Sequence, residues 1–353
     1  MKNKKEKSTT LSRRQFIGTS SMIAAGLAVT AKSAFGAPNI LKFYGTSDSL
    51  IKGVQIGVIT YSYRSLEDQS AEATLKYVTD SGISAIELMG DPAESFAGKP
   101  ASTIDRRTYY QAMRKARNNA DEMTEEEKKN LDAMKAEMDA YNKSVVEWRS
   151  AVSMDKFEEM KKMYIDAGVS IYAFKPSTFG SNNTDAEIDY GFSAAKALGA
   201  NQVTVELPGN PDFTKKLGEF AAKHKIYIAY HGHEQQTPTW WDNALGQSEY
   251  NAMNLDLGHY VAAGQPSPLD LVKAKHDRIK SMHIKDRQNK ENGKANLPFG
   301  QGDTPVIEVL QLMRDQKYTF PATIELEYKV PEDSDPVTEV KKCFEYCRKA
   351  LEG

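Results

Sequence analysis

Three short polar clusters hold the side chains best suited to chemistry: Y-H-G-H-E at 230–234, N-L-D-L-G-H at 254–259 and H-I-K-D at 283–286. Histidine and the carboxylates bind divalent cations and carry protons. Here polar residues recur at i, i+2: His231 with His233, Asn254 with Asp256, His283 with Lys285. Each cluster ends a short apolar run that reads as a strand, and alternate strand residues share a face. Three successive strands therefore aim polar pairs at one end of a sheet. A loop start or helix cap would explain any one cluster. Three in register, with Glu206 closing V-T-V-E and Glu325 closing A-T-I-E, make a shared site.

The elements that must position these residues recur along the chain. Apolar runs of strand length occupy 54–59, 83–88, 169–174, 202–205 and 226–229, followed by the runs leading to Asp256 and His283 and by 322–326. Between them, amphipathic stretches read as helices over 69–81, 156–167, 186–198, 211–224, 268–275, from Asp303 to 314, and over 336–351. Glycines at helix ends and Pro, Ser or Asp at helix starts are the expected caps. Eight strands alternating with about eight helices imply a (β/α)8 barrel rather than an open doubly wound sheet. Such a barrel gathers all its strand C-termini in one ring, where the clusters lie.

One segment breaks the repeat. Residues from about 103 to 150 are dense in Lys, Arg, Glu and Met, with apolar residues at Leu131, Met134, Met138 and Tyr141. This spacing predicts a long helical insertion between the second strand and its return helix. It reads as surface helices that lengthen a loop on the active face, with a homo-oligomer interface as the alternative.

The 353 residues, 40% hydrophobic, suffice for one large core. Seven basic residues against Glu6 give residues 1–36 a charge of +6, so the rest of the chain carries −8 of the total −2. An acidic body argues against nucleic acid as a partner. The first 36 residues read as an export signal: S-R-R-Q-F-I at 12–17, a weakly apolar run over 22–31, then small residues around Ala37. Adjacent arginines before Gln-Phe-Ile resemble the twin-arginine signal, which implies a translocase partner, a periplasmic location and, if the signal is retained, a membrane anchor. Residues 37–53 then form a linker and 54–353 the barrel. The two cysteines, Cys343 and Cys347, share a helix face four residues apart and read as packing residues.

The ordered set Y-H-G-H, N-L-D-L-G-H-Y-x-x-A-G, H-I-K-D, F-G-Q-G-D and I-E-L-E resembles the xylose isomerase-like TIM-barrel family, in particular its sugar phosphate isomerase/epimerase branch, over residues 54 to 351. That superfamily also holds inosose dehydratases, tagatose-type epimerases and abasic-site endonucleases, so the resemblance speaks more to fold and metal than to substrate. It implies a divalent metal on Glu206, Asp256, His283 and Glu325: Mn²⁺, Mg²⁺ or Co²⁺, with Zn²⁺ a further choice. Some relatives have a carboxylate on strand five where this chain has His231, which leaves His231 as a replacement ligand or a substrate contact. Glu327 shares the face of Glu325 and is the alternative ligand there.

Chelation of a sugar carbonyl and its neighbouring hydroxyl acidifies the C–H between them and stabilises the resulting enediolate. On that chemistry Glu206 and Glu325 are the base and acid, with His233 as the alternative proton carrier. Lys285 holds a hydroxyl or oxyanion, and His231, His259 and Glu87 contact substrate. The expected activity is isomerisation or epimerisation of an unphosphorylated or oxidised saccharide, since exported proteins meet few sugar phosphates. A lyase or hydratase acting on a keto-sugar glycoside shares the first proton abstraction, and a sugar-binding protein without catalysis is the third reading.

Overall fold

The computed structural model describes residues 48–353; the expected export signal and the first part of the linker lie outside the described residues. Eight parallel strands follow in order: β1 (Val54–Ile59), β2 (Ala85–Met89), β3 (Ser170–Lys175), β4 (Gln202–Glu206), β5 (Tyr227–His231), β6 (Asn251–Asp256), β7 (Ile279–Ile284) and β8 (Ala322–Ile324). Each pairs with the next, and β8 pairs back onto β1, closing the sheet into a barrel. Strands enclosed on both faces carry continuous apolar runs. Every residue of β1 and of β6 is buried.

Helices pack outside, and their boundaries follow local chemistry. Helix α1 (Ala71–Asp80) starts where the Ser70 side chain accepts the Ala73 N–H. Three further helices, α2 (Gly90–Phe96) and the pair α3 (Arg106–Asn118) and α4 (Glu125–Ala151) beyond it, separate β2 from α5 (Asp155–Asp166). After β3 comes α6 (Asp185–Leu198), opened by a reciprocal Thr184–Glu187 capping box and closed by left-handed Gly199. Then follow α7 (Pro211–His224), α8 (Asp242–Gln247), α9 (Leu257–Ala262), α10 (Pro268–Lys275), α11 (Val306–Gln316) and α12 (Pro336–Glu352). Both cysteines are free and buried in α12.

Two local differences from the sequence reading have physical causes. Leu50–Ile51, assigned to the linker, forms a short strand antiparallel to Val54 and Gln55. Lys52 and Gly53 turn the chain with φ of 49° and 87°, the double positive φ of a tight hairpin. Helix α11 begins at Val306, not at Asp303. The Asp303 carboxylate is occupied elsewhere, accepting from Asn289 N (2.8 Å) and Asn292 Nδ2 (2.9 Å) in the preceding loop.

The barrel interior is partly polar. The register slips between Ile86 and Glu87 opposite β3. Tyr172 crosses the interior, its hydroxyl 2.7 Å from Thr323 Oγ1. Glycine is required at 57 opposite this ring, because a Cβ there would lie 2.6 Å from the Tyr172 hydroxyl.

The insertion docks through buried charge. Arg149 near the end of α4 donates to Glu94 at 2.9 Å and Glu187 at 3.3 Å, and Trp148 meets Tyr190 edge-on. Helix α3 buries none of its residues, as a surface extension should.

Candidate active site

Inward side chains from β2, β5, β6, β7 and the segment after β8 converge at the C-terminal end of the barrel. Register brings them there: His231 pairs with Asn254 across β5 and β6, and Asp256 with His283 across β6 and β7. Glu87, expected to contact substrate, lies beneath the site with no exposed surface. Its Oε1 accepts from Thr204 Oγ1 at 2.7 Å, and its Oε2 accepts from Asn254 Nδ2 at 3.0 Å and lies 2.8 Å from His283 Nε2. Glu87 therefore aims His283 rather than meeting a ligand.

The hydrogen-bond directions leave a gap shaped for a cation. Asn254 spends its amide N–H on Glu87, so its Oδ1 faces His231 Nδ1 at 3.5 Å. With the proton on Nδ1, His231 turns the lone pair of Nε2 toward Asp256 Oδ2, 3.9 Å away. Burial, with Lys175 and His283 nearby, holds His231 well below its ordinary pKa, so it stays neutral. Asp256 Oδ2 is buried and accepts no hydrogen bond; Lys285 Nζ is 2.9 Å away as an ion-pair partner, outside hydrogen-bonding geometry. The ligand atoms of His231, Asp256 and His283 all lie within 4.8 Å of one another.

Charge gives the same answer. Glu87, Asp256 and Glu325 are three buried carboxylates, and Lys285 is one buried ammonium, with Nζ 2.5 Å from Glu325 Oε2 and 2.8 Å from Glu327 Oε2. Two negative charges remain when both histidines are neutral, the charge a divalent cation cancels. Without such an ion, burial works to lower the His283 pKa, yet Glu87 and Glu325 raise it to about 10. Burial likewise works to raise Glu325, but Lys285 and His283 hold it well below the carboxylate range. Desolvation by burial raises Asp256. The residues present fit a divalent metal held by His231, Asp256, His283 and Glu325.

Glu206 stands apart from that group. Its side chain is half exposed at the rim, with Oε1 3.2 Å from Lys175 Nζ and Oε2 3.4 Å from His233 Nδ1. It meets His231 and His233 within 4.8 Å, whereas Asp256, His283 and Glu325 gather across the barrel. Lys285, expected to meet a hydroxyl or oxyanion, is buried among Asp256, Glu325 and Glu327, and these carboxylates outweigh burial to keep it charged.

His259 presents a donor to the mouth. Its backbone N–H donates to Asp256 Oδ1 at 2.7 Å, and Arg287 donates to its Nδ1 at 2.5 Å. Burial, Lys285 and Arg287 depress its pKa to about 3, so the neutral ring carries its proton on Nε2. That buried Nε2 has no hydrogen-bond partner and lies 3.8 Å from Glu327. Sequence reasoning missed Arg287, although it continues the i, i+2 run of His283 and Lys285. It also gave no role to Asp286, whose carboxylate accepts the N–H groups of Gly300, Gln301, Gly302 and Thr304. A Cβ at Gly302 would lie 2.3 Å from that carboxylate, so F-G-Q-G-D is a loop moulded around Asp286.

Comparison with known proteins agrees with this architecture. A family model described as xylose isomerase-like TIM barrel matches residues 54–350. No curated protein matches the chain. Among solved structures, a sugar phosphate isomerase/epimerase from Parabacteroides distasonis is 17% identical, covers 83% of this chain and 93% of its own, and superposes with a TM-score of 0.52. The 3-keto-D-glucoside 4-epimerase of E. coli is 11% identical, covering 84% of this chain and 99% of its own, with a TM-score of 0.54. A xylose isomerase-like TIM-barrel protein from Mycobacterium smegmatis in complex with magnesium is 15% identical, covering 84% and 96%, with a TM-score of 0.50. With the match spanning the whole barrel, the chain belongs to the xylose isomerase-like TIM-barrel family.

Proposed function

We propose that the protein is a divalent-metal-dependent sugar isomerase or epimerase acting on an unphosphorylated or oxidised saccharide by proton abstraction next to a carbonyl. The observation that carries this reading is the buried cluster of His231, Asp256, His283 and Glu325, two charges short of balance and open to a mouth rimmed by Glu206 and His233. A bound divalent ion would supply Lewis-acid polarisation of the sugar carbonyl and its neighbouring hydroxyl. The names of the similar structures, which include isomerases and epimerases of sugars, support the class.

The chain's own residues supply the rest. Glu206 is the base: it is ionisable, half exposed, and beside His233, which passes the proton to solvent. Strands β4 and β8 are four apart in an eight-strand ring, so Glu206 and Glu325 flank the mouth from opposite sides. Removal of a proton from one face of a sugar and its return to the other is what epimerisation requires. The His259 Nε2–H is placed to hold a substrate oxygen, and Lys285 keeps the Asp256, Glu325 and Glu327 carboxylates together.

The test is incubation of manganese-loaded protein with a panel of sugars and 3-keto-glycosides in D₂O, followed by NMR. Deuterium should enter beside the carbonyl, with inversion or carbonyl migration. Release of an aglycone would replace this reading with a lyase, and no exchange on any member would remove the catalytic assignment.

A further inference from the structure

Beside the barrel mouth the insertion encloses a second cavity of about 430 Å³. Tyr141 and Asn142 of α4 form its roof, and the buried ion pairs of Arg149 with Glu94 and Glu187 form its floor. Lys175 is the wall it shares with the active site, because the same ammonium reaches Glu206. We propose that this cavity is a subsite for the second unit of a disaccharide or glycoside whose reacting unit lies over His231, Asp256 and His283. The proposal rests on the sugar reading above and extends it to the size of the substrate.

Volume, chemistry and rigidity support it. Ligand sites run from about 300 to 1,000 Å³, so the space is ample for one sugar ring. Each lysine or arginine lining the cavity is within ion-pair distance of a carboxylate: Lys99 and Arg106 with Asp91, Arg149 with Glu94, Lys175 with Glu206. Little charge is left over to attract a phosphate. Apart from Arg106, which stands 4.0 Å from Asp91, the polar lining side chains without a hydrogen bond among the described residues are neutral: the Tyr141 hydroxyl and the amides of Asn142 and Asn182. Neutral donors and acceptors beside an aromatic face suit a hydroxyl-rich ring with apolar C–H edges. The roof is fixed as well, since Arg149 is clamped by two buried carboxylates about two turns beyond Asn142.

Calorimetric titration of the manganese-loaded full chain with cellobiose, maltose and sucrose, each against glucose, tests the subsite. At least one disaccharide should bind about tenfold tighter than glucose, a difference of about 1.4 kcal/mol. Tyr141→Ala with Asn142→Ala should abolish that advantage and leave glucose affinity unchanged; Asn182→Ala, on the loop between β3 and α6, should reduce it independently. A disaccharide that binds no tighter than glucose, or variants that keep its full affinity, overturns the subsite while glucose binding leaves the active-site reading standing. Failure of all four sugars to bind overturns the subsite and the sugar reading together.

Discussion

Glu87→Gln is the most informative single change, because Glu87 acts on His283 in two opposed ways. Its carboxylate, 2.8 Å from His283 Nε2 with no exposed surface, makes the imidazole a better metal ligand. With Glu325 it also raises the affinity of His283 for a proton, to a pKa of about 10 in the metal-free protein, so below that pH a metal must displace a proton. Glutamine preserves the shape and can still accept from Nε2, but the charge is gone. Loss of an outer-shell partner costs about 10–100-fold in metal affinity, equivalent to about 1.4–2.7 kcal/mol. Weaker proton competition returns part of that loss at low pH. Mn²⁺ affinity measured by calorimetry should therefore fall about 10–100-fold at about pH 9 and by clearly less at about pH 6.5. Proton release on binding, read from the dependence on buffer ionisation heat, should also shrink. Alanine is the poorer probe: it would leave Thr204, Asn254 and His283 without their acceptor, at about 1–3 kcal/mol for each buried group. Wild-type affinity in Glu87→Gln at pH 9, or a deficit that does not grow with pH, would refute the positioning role.

Four further outcomes are expected. Manganese at about 100 times Kd should stabilise wild type by about 2.7 kcal/mol, and Asp256→Ala and His283→Ala should not respond, whereas His276→Ala, whose ring stacks on Tyr318 and bonds the Lys273 carbonyl away from the site, should respond fully. In chelator-treated protein the raised His283 pKa makes its stabilising contribution complete below about pH 6.5 and lost as pH rises through about 10, so urea midpoints should fall over that window and hold steady with manganese bound. Arg149→Met leaves buried Glu187 without its cation while Glu94 keeps Lys99 at 3.1 Å, and should cost about 3 kcal/mol, the low end for breaking a buried pair, while a Gly/Ser loop replacing residues 104–144, which spares Arg149, should still unfold cooperatively. Arg13→Lys with Arg14→Lys should block export; normal periplasmic levels of that double variant would remove the twin-arginine assignment.

The barrel was legible because its local signals agree. Apolar runs, capping residues such as Thr184 with Glu187, and left-handed Gly199 each depend on neighbours within a few positions. What escaped depends on distant partners. Leu50–Ile51 is a strand only because Val54 and Gln55 turn back on it, and Asp303 caps nothing because the loop at Asn289 claims its carboxylate. Glu87 gave the same sequence signal as any strand-end carboxylate; its role comes from three donors on β4, β6 and β7, more than a hundred residues away.

The choice between Glu206 and His231 as the fourth ligand shows where pattern reading stops. Period-two alternation correctly says that Glu206, His231, Asp256, His283 and Glu325 all point inward, but it fixes parity and not height. In a barrel the strands tilt and the hydrogen-bonded rows climb around the axis. The row through Glu206 and His231 passes to Asn254 and Ser281, while the row through Asp256 passes to His283 and Thr323. Glu206 and His231 share one row, and what separates them is the neighbour each side chain meets: Glu206 turns to Lys175 and His233 at the solvent-facing rim, and His231 reaches toward Asp256 in the next row. The exchange has a chemical consequence. A neutral imidazole in a ligand position would leave the buried cluster less negative than a carboxylate there, and would leave Glu206 at the rim, between Lys175 and His233, where the proposed base has His233 and solvent within reach to gain and lose a proton in each turnover.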